Sequence, residues 1–369
     1  PSGSTPRPVR REGDAPFNII YSSGTTGAPK GIVHPHSLRC AQVARSANLG
    51  YGASSITLLA TPLYSNITLT GFYPTLALGG TVVLMPKFDA GEYLRLAQSW
   101  RATQTVLVSV QYQRILAQPH FDACDLSAFQ MKIAVGAPFP VALKKEVLRR
   151  WPGGLVDLYG LTEGGGTCML MAHEHADKLH TVGRPVAGHD VRIIDEQGHE
   201  LPFGEVGEIV GHSPIMMSGY HKLPGSTAAA EWRDASGRRF LRSGDVGRFD
   251  ADGFLTLLDR KKDMIISGGF NIYPSDIEAV IAQHDDVAEA SVVGVPSARW
   301  GETPVAFVVL RAGAQLDAPG LMAWVNARVG KTQRLAALEF VSSLPRSAVG
   351  KVLKRELRDG YRAGEITPA

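Results

Sequence analysis

The chain has 369 residues, enough for two or three domains with buried cores. Hydrophobic residues make up 44% and charged residues 20%, the balance of a globular protein and not of a disordered or fibrous one. A net charge of +3 implies no nucleic-acid or anionic-membrane surface, and the three scattered cysteines (Cys40, Cys124, Cys168) argue against a zinc ribbon or disulfide scaffold and for a reducing cytoplasm.

Residues 1–14 are basic and proline-rich, without the apolar core of a signal peptide. "FNIIYSS" reads as a strand feeding a glycine-rich loop, "YSSGTTGAPKG" (Tyr21 to Gly31), and "SLRCAQVARSANL" as the helix after it. The most apolar region, Ser55 to Met85, is broken by Pro62, Asn66, Pro74 and Gly79-Gly80, so it predicts buried strands and a short helix, not a membrane span. "TVVLMP", "TQTVLVSV", "KIAVGAP" and "LVDLYG" are short apolar strands, and "GEYLRLAQSW" and "PVALKKEVLRRW" are helices between them. That alternation predicts a layered α/β domain with a largely parallel sheet.

From about Gly183 the texture changes to "VRIID", "GEIVG" and "GFLTLLDR", strands separated by turn residues, as in a small antiparallel barrel. A charge cluster, "RKKD", marks a boundary near Arg260. Beyond it a helix at Ser275–His284, strands at "ASVVGV" and "VAFVVL", a helix at "GLMAWVNARV" and a last helix after Lys351 predict an α+β unit. The expected division is a large domain over 1–260, with an α/β core at 1–182 and a barrel-like part at 183–260, and a small C-terminal lid domain over 261–369.

Glycine and hydroxyl residues favour turns, and backbone N–H groups in such a turn can converge on phosphate oxygens. In the loop after "FNII", the hydroxyls of Ser22, Ser23, Thr25 and Thr26 add donors, and Lys30 adds a cation. The spacing is not that of a Walker A loop.

The stretch resembles the phosphate-loop signature of the adenylate-forming superfamily, which includes acyl- and aryl-CoA synthetases, peptide-synthetase adenylation domains and luciferase. Further motifs follow in order: "GAP" (Gly136–Pro138), "YGLTE" (Tyr159–Glu163), "SGD" (Ser243–Asp245), "DRKKDMIISGGFNIYPSDIE" (Asp259–Glu278) and "LPRSAVGK" (Leu344–Lys351). Together they run over nearly the whole chain.

The resemblance implies an ATP-dependent carboxylate–CoA ligase. A carboxylate attacks the α-phosphate of Mg·ATP, giving an acyl-adenylate and pyrophosphate, and CoA then takes the acyl group as a thioester with release of AMP. By the same resemblance Ser22, Ser23, Gly24, Thr25, Thr26, Gly27 and Lys30 hold the phosphates, Thr162 donates to the α-phosphate, and Glu163 is the Mg²⁺ ligand. Gly136, Ala137, Pro138 and Tyr159 sandwich adenine, and Asp157 accepts from its amino group. Asp245 takes the ribose hydroxyls with support from Arg260. Lys351 is the catalytic lysine, bridging the attacking carboxylate and the α-phosphate. Lys262 is the hinge, Gly268 and Gly269 line the pantetheine tunnel, and Trp300 stacks on the CoA adenine. Tyr64, Gly164 and Gly165 belong to the acyl pocket, with Phe72 and Met169 as further apolar wall.

The pattern departs from the family in four places. Ser65-Asn66 follow Pro62-Leu63-Tyr64 where an imidazole is usual, so the acid is not identified. Gly164-Gly165-Gly166 imply a wide pocket or a mobile wall. "GKTQRLAALEF" lacks the usual Tyr-Lys-x-Pro. The glycine loop begins near the start of this chain but well inside family members, so a further N-terminal segment is expected to pack on it, with "TLLATP" and "TVVLMP" covered on both faces.

His173, His175 and His180 lack a metal-ligand spacing and read as a solvated loop. An adenylation domain that loads a carrier protein is the nearest alternative, and a non-catalytic nucleotide-binding fragment is an alternative of another class. Small molecules are the expected partners, with neither nucleic acid nor a transmembrane segment.

Overall fold

Between Ile56 and Tyr159 each short apolar run forms a strand and each stretch with a helical apolar stripe forms a helix. The computed structural model describes residues 9–22, 29–347 and 350–363. Two units are distinguished, Pro1–Arg192 with Val210–Ser243, and Ile193–Ile209 with Gly244–Ala369.

In the first unit a seven-stranded sheet runs in the order Thr81–Leu84, Ile56–Leu59, Gln104–Leu107, Met131–Val135, Gly154–Tyr159, Cys168–Met171, Arg184–Pro185. The first five strands are parallel and the last two antiparallel. The α/β class is as expected. From Ile56–Leu59 the chain first moves outward to Thr81–Leu84, then returns past it to Gln104–Leu107. That reversal is the switch point at which open α/β sheets form a crevice beyond the carboxyl ends of their strands.

Leu58, Leu59, Val106, Leu107, Leu155 and Val156 are buried within the sheet. Against them packs Trp151, with the rings of Tyr93, Tyr112, Phe121 and Phe129 at 5.2–5.9 Å, mostly edge-on. "TVVLMP" supplies the edge strand Thr81–Leu84, whose side chains are only partly covered, and Leu84 is exposed. An edge strand has a neighbour on one side only, so an apolar sequence does not guarantee full burial.

A second, antiparallel sheet of three strands joins Pro16–Ser22, Lys30–Pro35 and Gly219–Tyr220. Its register sets Ser22 opposite Lys30, so the two ends of the glycine loop are adjacent across one hairpin. Residues 23–28 lie outside the described residues.

In the second unit a five-stranded sheet runs Phe270–Ile272, Ile265–Ser267, Gly301–Leu310, Val287–Ser297, with Ala337–Phe340 pairing in parallel to Gly301–Leu310. Alternation along its long strands fills two cores. Val292, Ala306 and Val308 face Ile277, Ile281, Leu321 and Val325 of the helices Pro274–Ile281 and Ala318–Asn326. Val293, Val305 and Phe307 face Leu344 and Leu357. Among the described residues no helix is long and apolar enough to cross a membrane.

Candidate active site

The parallel register brings distant parts of the sequence to one edge. Leu59 lies beside Val106, Leu107 beside Ala134, and Val135 beside Leu158. The segments that follow these strands therefore leave the sheet together: Tyr64, Gly136-Ala137-Pro138, and Tyr159 with the turn Thr162-Glu163. Tyr159 is buried at its strand end, whereas Tyr64 is 69% exposed.

Groups from the small sheet converge on that turn. The buried His34 ring, four residues beyond Lys30 on the same strand, holds the Thr162 carbonyl at 2.6 Å through Nε2. Arg39 donates to His34 Nδ1 at 2.8 Å, which fixes Nδ1 as acceptor and Nε2–H as donor. The Arg39 guanidinium is itself buried, and besides His34 its acceptors among the described residues are the neutral side chains of Asn18, Gln42 and Asn66. Burial, with Arg39 beside it, pulls His34 down to about 4, so the ring is neutral at ordinary pH.

Glu163 is held by Met217, whose N–H donates to its carbonyl at 2.8 Å. The Tyr220 hydroxyl donates to its Oε1 at 3.0 Å. Lys30 Nζ lies 5.0 Å from the centre of the Tyr220 ring. Burial first, and then Glu163, raise the Tyr220 phenol, so it stays a donor. Sequence reasoning missed Tyr220, His34 and Arg39. Nothing in "SGYHKL" or "HPHSLR" signals contact with residues so far away in sequence.

Asp157 is placed differently from the expectation. Its carboxylate is buried within the sheet and pairs with Lys144 at 2.7 Å, with side chains 6% and 3% exposed. Lys144 Nζ also donates to the carbonyls of Leu179 (2.8 Å) and Thr181 (3.0 Å). The acceptor assigned to an adenine amino group is engaged by an internal cation. The signal lay in the pattern: Lys144 falls on the same helical stripe as buried Val147, and Asp157 sits inside an otherwise apolar strand. A charge in each of two buried elements points to a pair.

The run Gly164-Gly165-Gly166 also has another cause than a wide pocket. Gly164 (φ +82°) and Gly165 (φ +83°) are left-handed. A Cβ on Gly164 would lie 1.8 Å from the Ile215 carbonyl oxygen, and one on Gly165 3.0 Å from that of Gly211. A Cβ on Gly166 would lie 2.3 Å from the Val191 side chain and 3.2 Å from the Gly211 Cα. Two backbone segments approach closely here, and the glycines allow it.

In the second unit Asp245 and Arg260 are directly opposed on neighbouring antiparallel strands, with Arg260 Nε 2.9 Å from Asp245 Oδ1. Lys262 occupies the turn that follows, where the N–H groups of Asp263 and Met264 both donate to the Arg260 carbonyl. Gly268 (φ +58°) and Gly269 (φ +83°) form the two-residue turn joining Ser267 to Phe270, and two positive φ values are what such a hairpin demands. The Gly268 N–H donates to the carbonyl of Trp300, a residue 48% exposed with Arg299 stacked 4.6 Å from its ring.

Lys351 is exposed on a tight turn between Arg346 and Val352, its N–H donating to Ser347 Oγ at 3.2 Å. Lys354, three residues on, is engaged by carboxylates. It pairs with Glu278 at 2.9 Å and lies 3.8 Å from Asp259. Ser23, Gly24, Thr25, Thr26 and Gly27, expected to hold the phosphates, lie outside the described residues, as does the side chain of Ser22.

Glu163 can take part in a metal site of one kind. Among the described residues no group of three or more His, Cys, Asp or Glu side chains could hold an ion. The Glu163 carboxylate is half-buried with Oε1 engaged, and among the described residues Oε2 has no partner. A single carboxylate of this sort suits Mg²⁺, which keeps most of its shell for water and substrate phosphates.

Comparison with known proteins agrees with this geometry. Residues 2–221 match the family model described as AMP-binding enzyme, and residues 276–351 that of the AMP-binding enzyme C-terminal domain. A feruloyl-CoA synthase of Amycolatopsis sp is 37% identical over 347 residues, spanning 92% of this chain and 69% of that protein. Among solved structures, the amide bond synthetase McbA from Marinactinospora thermotolerans superposes with a TM-score of 0.88 at 34% identity, covering 98% of this chain and 72% of that one. ATP-bound MatB from Rhodopseudomonas palustris does so with a TM-score of 0.88 at 30% identity, covering 96% and 70%.

Proposed function

The chain belongs to the AMP-binding enzyme family, and we propose that it joins a bulky, aromatic type of carboxylic acid to CoA. Its reaction class is that of an AMP-forming carboxylate–CoA ligase, with ATP, Mg²⁺ and CoA as its small-molecule requirements. The observation that carries the layout is the shared carboxyl edge, where the strand-end segments, Lys30 and Glu163 meet around one turn.

On this reading adenine lies against Gly136–Pro138 and Tyr159, and Thr162 donates to the α-phosphate. Lys30 and the glycine loop take the β- and γ-phosphates, with Glu163 as the protein's ligand to Mg²⁺. When bound, the ion neutralises phosphate charge. Asp245 takes the ribose hydroxyls, and Arg260, paired with it at 2.9 Å, orients that carboxylate. Lys351 supplies the cation between acid and α-phosphate, where charge accumulates in the transition state. Lys262 is the pivot, and Gly268, Gly269 and the exposed Trp300 ring form the surface offered to CoA. Asp157 acts from beneath, holding its strand through Lys144.

The bulky acid is supported by the feruloyl-CoA synthase likeness and by the exposed Tyr64 in place of a closed aromatic–imidazole gate. A cytoplasmic location belongs to the same reading, supported by three free thiols. The McbA likeness makes an amine the alternative acyl acceptor. The test is AMP release with cinnamic-type, indole-type, medium- and long-chain acids, each with CoA, with an amine, or with neither acceptor. CoA-dependent release greatest on the aromatic acids is expected. Release that depends on the amine instead would transfer the chain to amide synthesis.

A further inference from the structure

Tyr220 touches both groups assigned to the phosphate end of the site, and neither the motifs nor the family models gave it a role. It is fixed from several sides. Its strand pairs with Lys30–Pro35, setting Tyr220 opposite Ile32. Its N–H donates to Thr227 Oγ1 at 2.9 Å, and its ring packs on the buried cluster of Ile32, Met217 and Leu241. From that position the hydroxyl reaches Glu163 Oε1 at 3.0 Å, while Lys30 Nζ stands 5.0 Å from the ring centre.

Both contacts are of kinds that fix direction. A hydrogen bond to a carboxylate is stronger than one between neutral groups, and a cation within about 6 Å of an aromatic face is drawn to it. Glu163 needs such a support because it sits in a turn next to left-handed Gly164, where no helix or strand restricts its rotamer. Lys30 needs one because its four-carbon stem starts at the first residue of its strand, and the strand fixes the backbone but not the position of Nζ. A phenylalanine at 220 would fill the same space and carry Lys30, but could not hold Glu163.

We propose that Tyr220 is a positioning residue that sets the spacing between the Mg²⁺ ligand and the phosphate-binding lysine, its hydroxyl holding Glu163 and its ring holding Lys30. The proposal rests on the reading of Glu163 and Lys30 given above. It separates two variants: Tyr220→Phe removes only the hold on Glu163, and Tyr220→Leu removes both.

The experiment measures acid-dependent ATP–pyrophosphate exchange across a Mg²⁺ titration, together with calorimetric binding of α,β-methylene-ATP with and without Mg²⁺, and thermal midpoints. Tyr220→Phe should melt close to the wild type yet need ~10-fold more Mg²⁺ for half-maximal exchange, the scale of one hydrogen bond to a charged group. Its affinity for the metal-free analogue should be unchanged. Tyr220→Leu should weaken metal-free analogue binding as well. A Tyr220→Phe protein with wild-type Mg²⁺ dependence overturns the inference, whether or not its melting point falls. Absence of exchange in the wild type with every acid overturns the reading of the site instead.

Discussion

Replacing Lys144 by methionine keeps the length and most of the volume of the side chain but removes its charge. The structure then leaves the Asp157 carboxylate, with its side chain 6% exposed, without its cation, and the carbonyls of Leu179 and Thr181 without their shared donor. Breaking a buried pair from one side costs about 3–5 kcal/mol, because the remaining charge is neither hydrated nor paired. At roughly 2–4 °C per kcal/mol for a unit of this size, the melting transition of Lys144→Met should fall by about 6–20 °C.

The loss should depend on pH in a fixed direction. Burial raises the Asp157 carboxyl and Lys144 opposes that rise. Without Lys144 the folded-state pKa climbs further above that of the unfolded chain. The deficit is then full where Asp157 must ionise and narrows as the pH falls and the folded variant takes up a proton. Lys144→Met/Asp157→Leu, which replaces the pair by apolar groups, should recover more than half of the loss. Thermal melts at several pH values, with hydrogen exchange of Gly154–Tyr159, measure this. Asp157→Asn separates the two roles considered for the residue. A large rise in KM for ATP with an unchanged melting point would show that the carboxylate meets the nucleotide, and the reasoning from burial would be refuted.

Gly165→Ala should destabilise the fold by about 1–3 kcal/mol, the usual cost of forcing a side chain into a disfavoured backbone region, since its φ is +83° and the Gly211 carbonyl lies 3.0 Å from the new Cβ; a stable variant with altered acid preference in chemical denaturation and KM measurements would restore the pocket-wall reading. His34 and His189 are both pulled down to about 4, chiefly by burial. An unfolded imidazole titrates near 6.5, so the unfolded chain binds more protons between those values and stability falls as the pH drops from about 6.5 toward 4. Melting at pH 7.5 and 5 should show that loss, and His189→Gln, which keeps an acceptor for the Thr167 N–H, should lessen it. Lys351→Ala should slow adenylation by about 10²–10³-fold or more, while thiolysis of supplied acyl-adenylate suffers far less. Equal damage to both half-reactions in single-turnover assays would count against its assigned place.

The order of strands and helices was legible because each is encoded locally, in apolar periodicity and in breaks such as Pro62 and Gly79-Gly80. The motifs on which the roles proposed for the glycine loop, Glu163 and Lys351 rest can be read for a related reason: a loop's chemistry must be written in consecutive residues. That the segments after Ile56–Leu59, Met131–Val135 and Gly154–Tyr159 leave one carboxyl edge is also implicit in a run of parallel strands. What the sequence left open were the pairings between residues distant in the chain. Lys144 with Asp157, Tyr220 with Glu163 and His34 with the Thr162 carbonyl depend on strand register and on which helix face meets the sheet. The triple glycine shows the same division. Its sequence announces missing side chains, but whether the freed space holds substrate or another backbone depends on what lies opposite, and only the tertiary structure places Ile215 and Gly211 there.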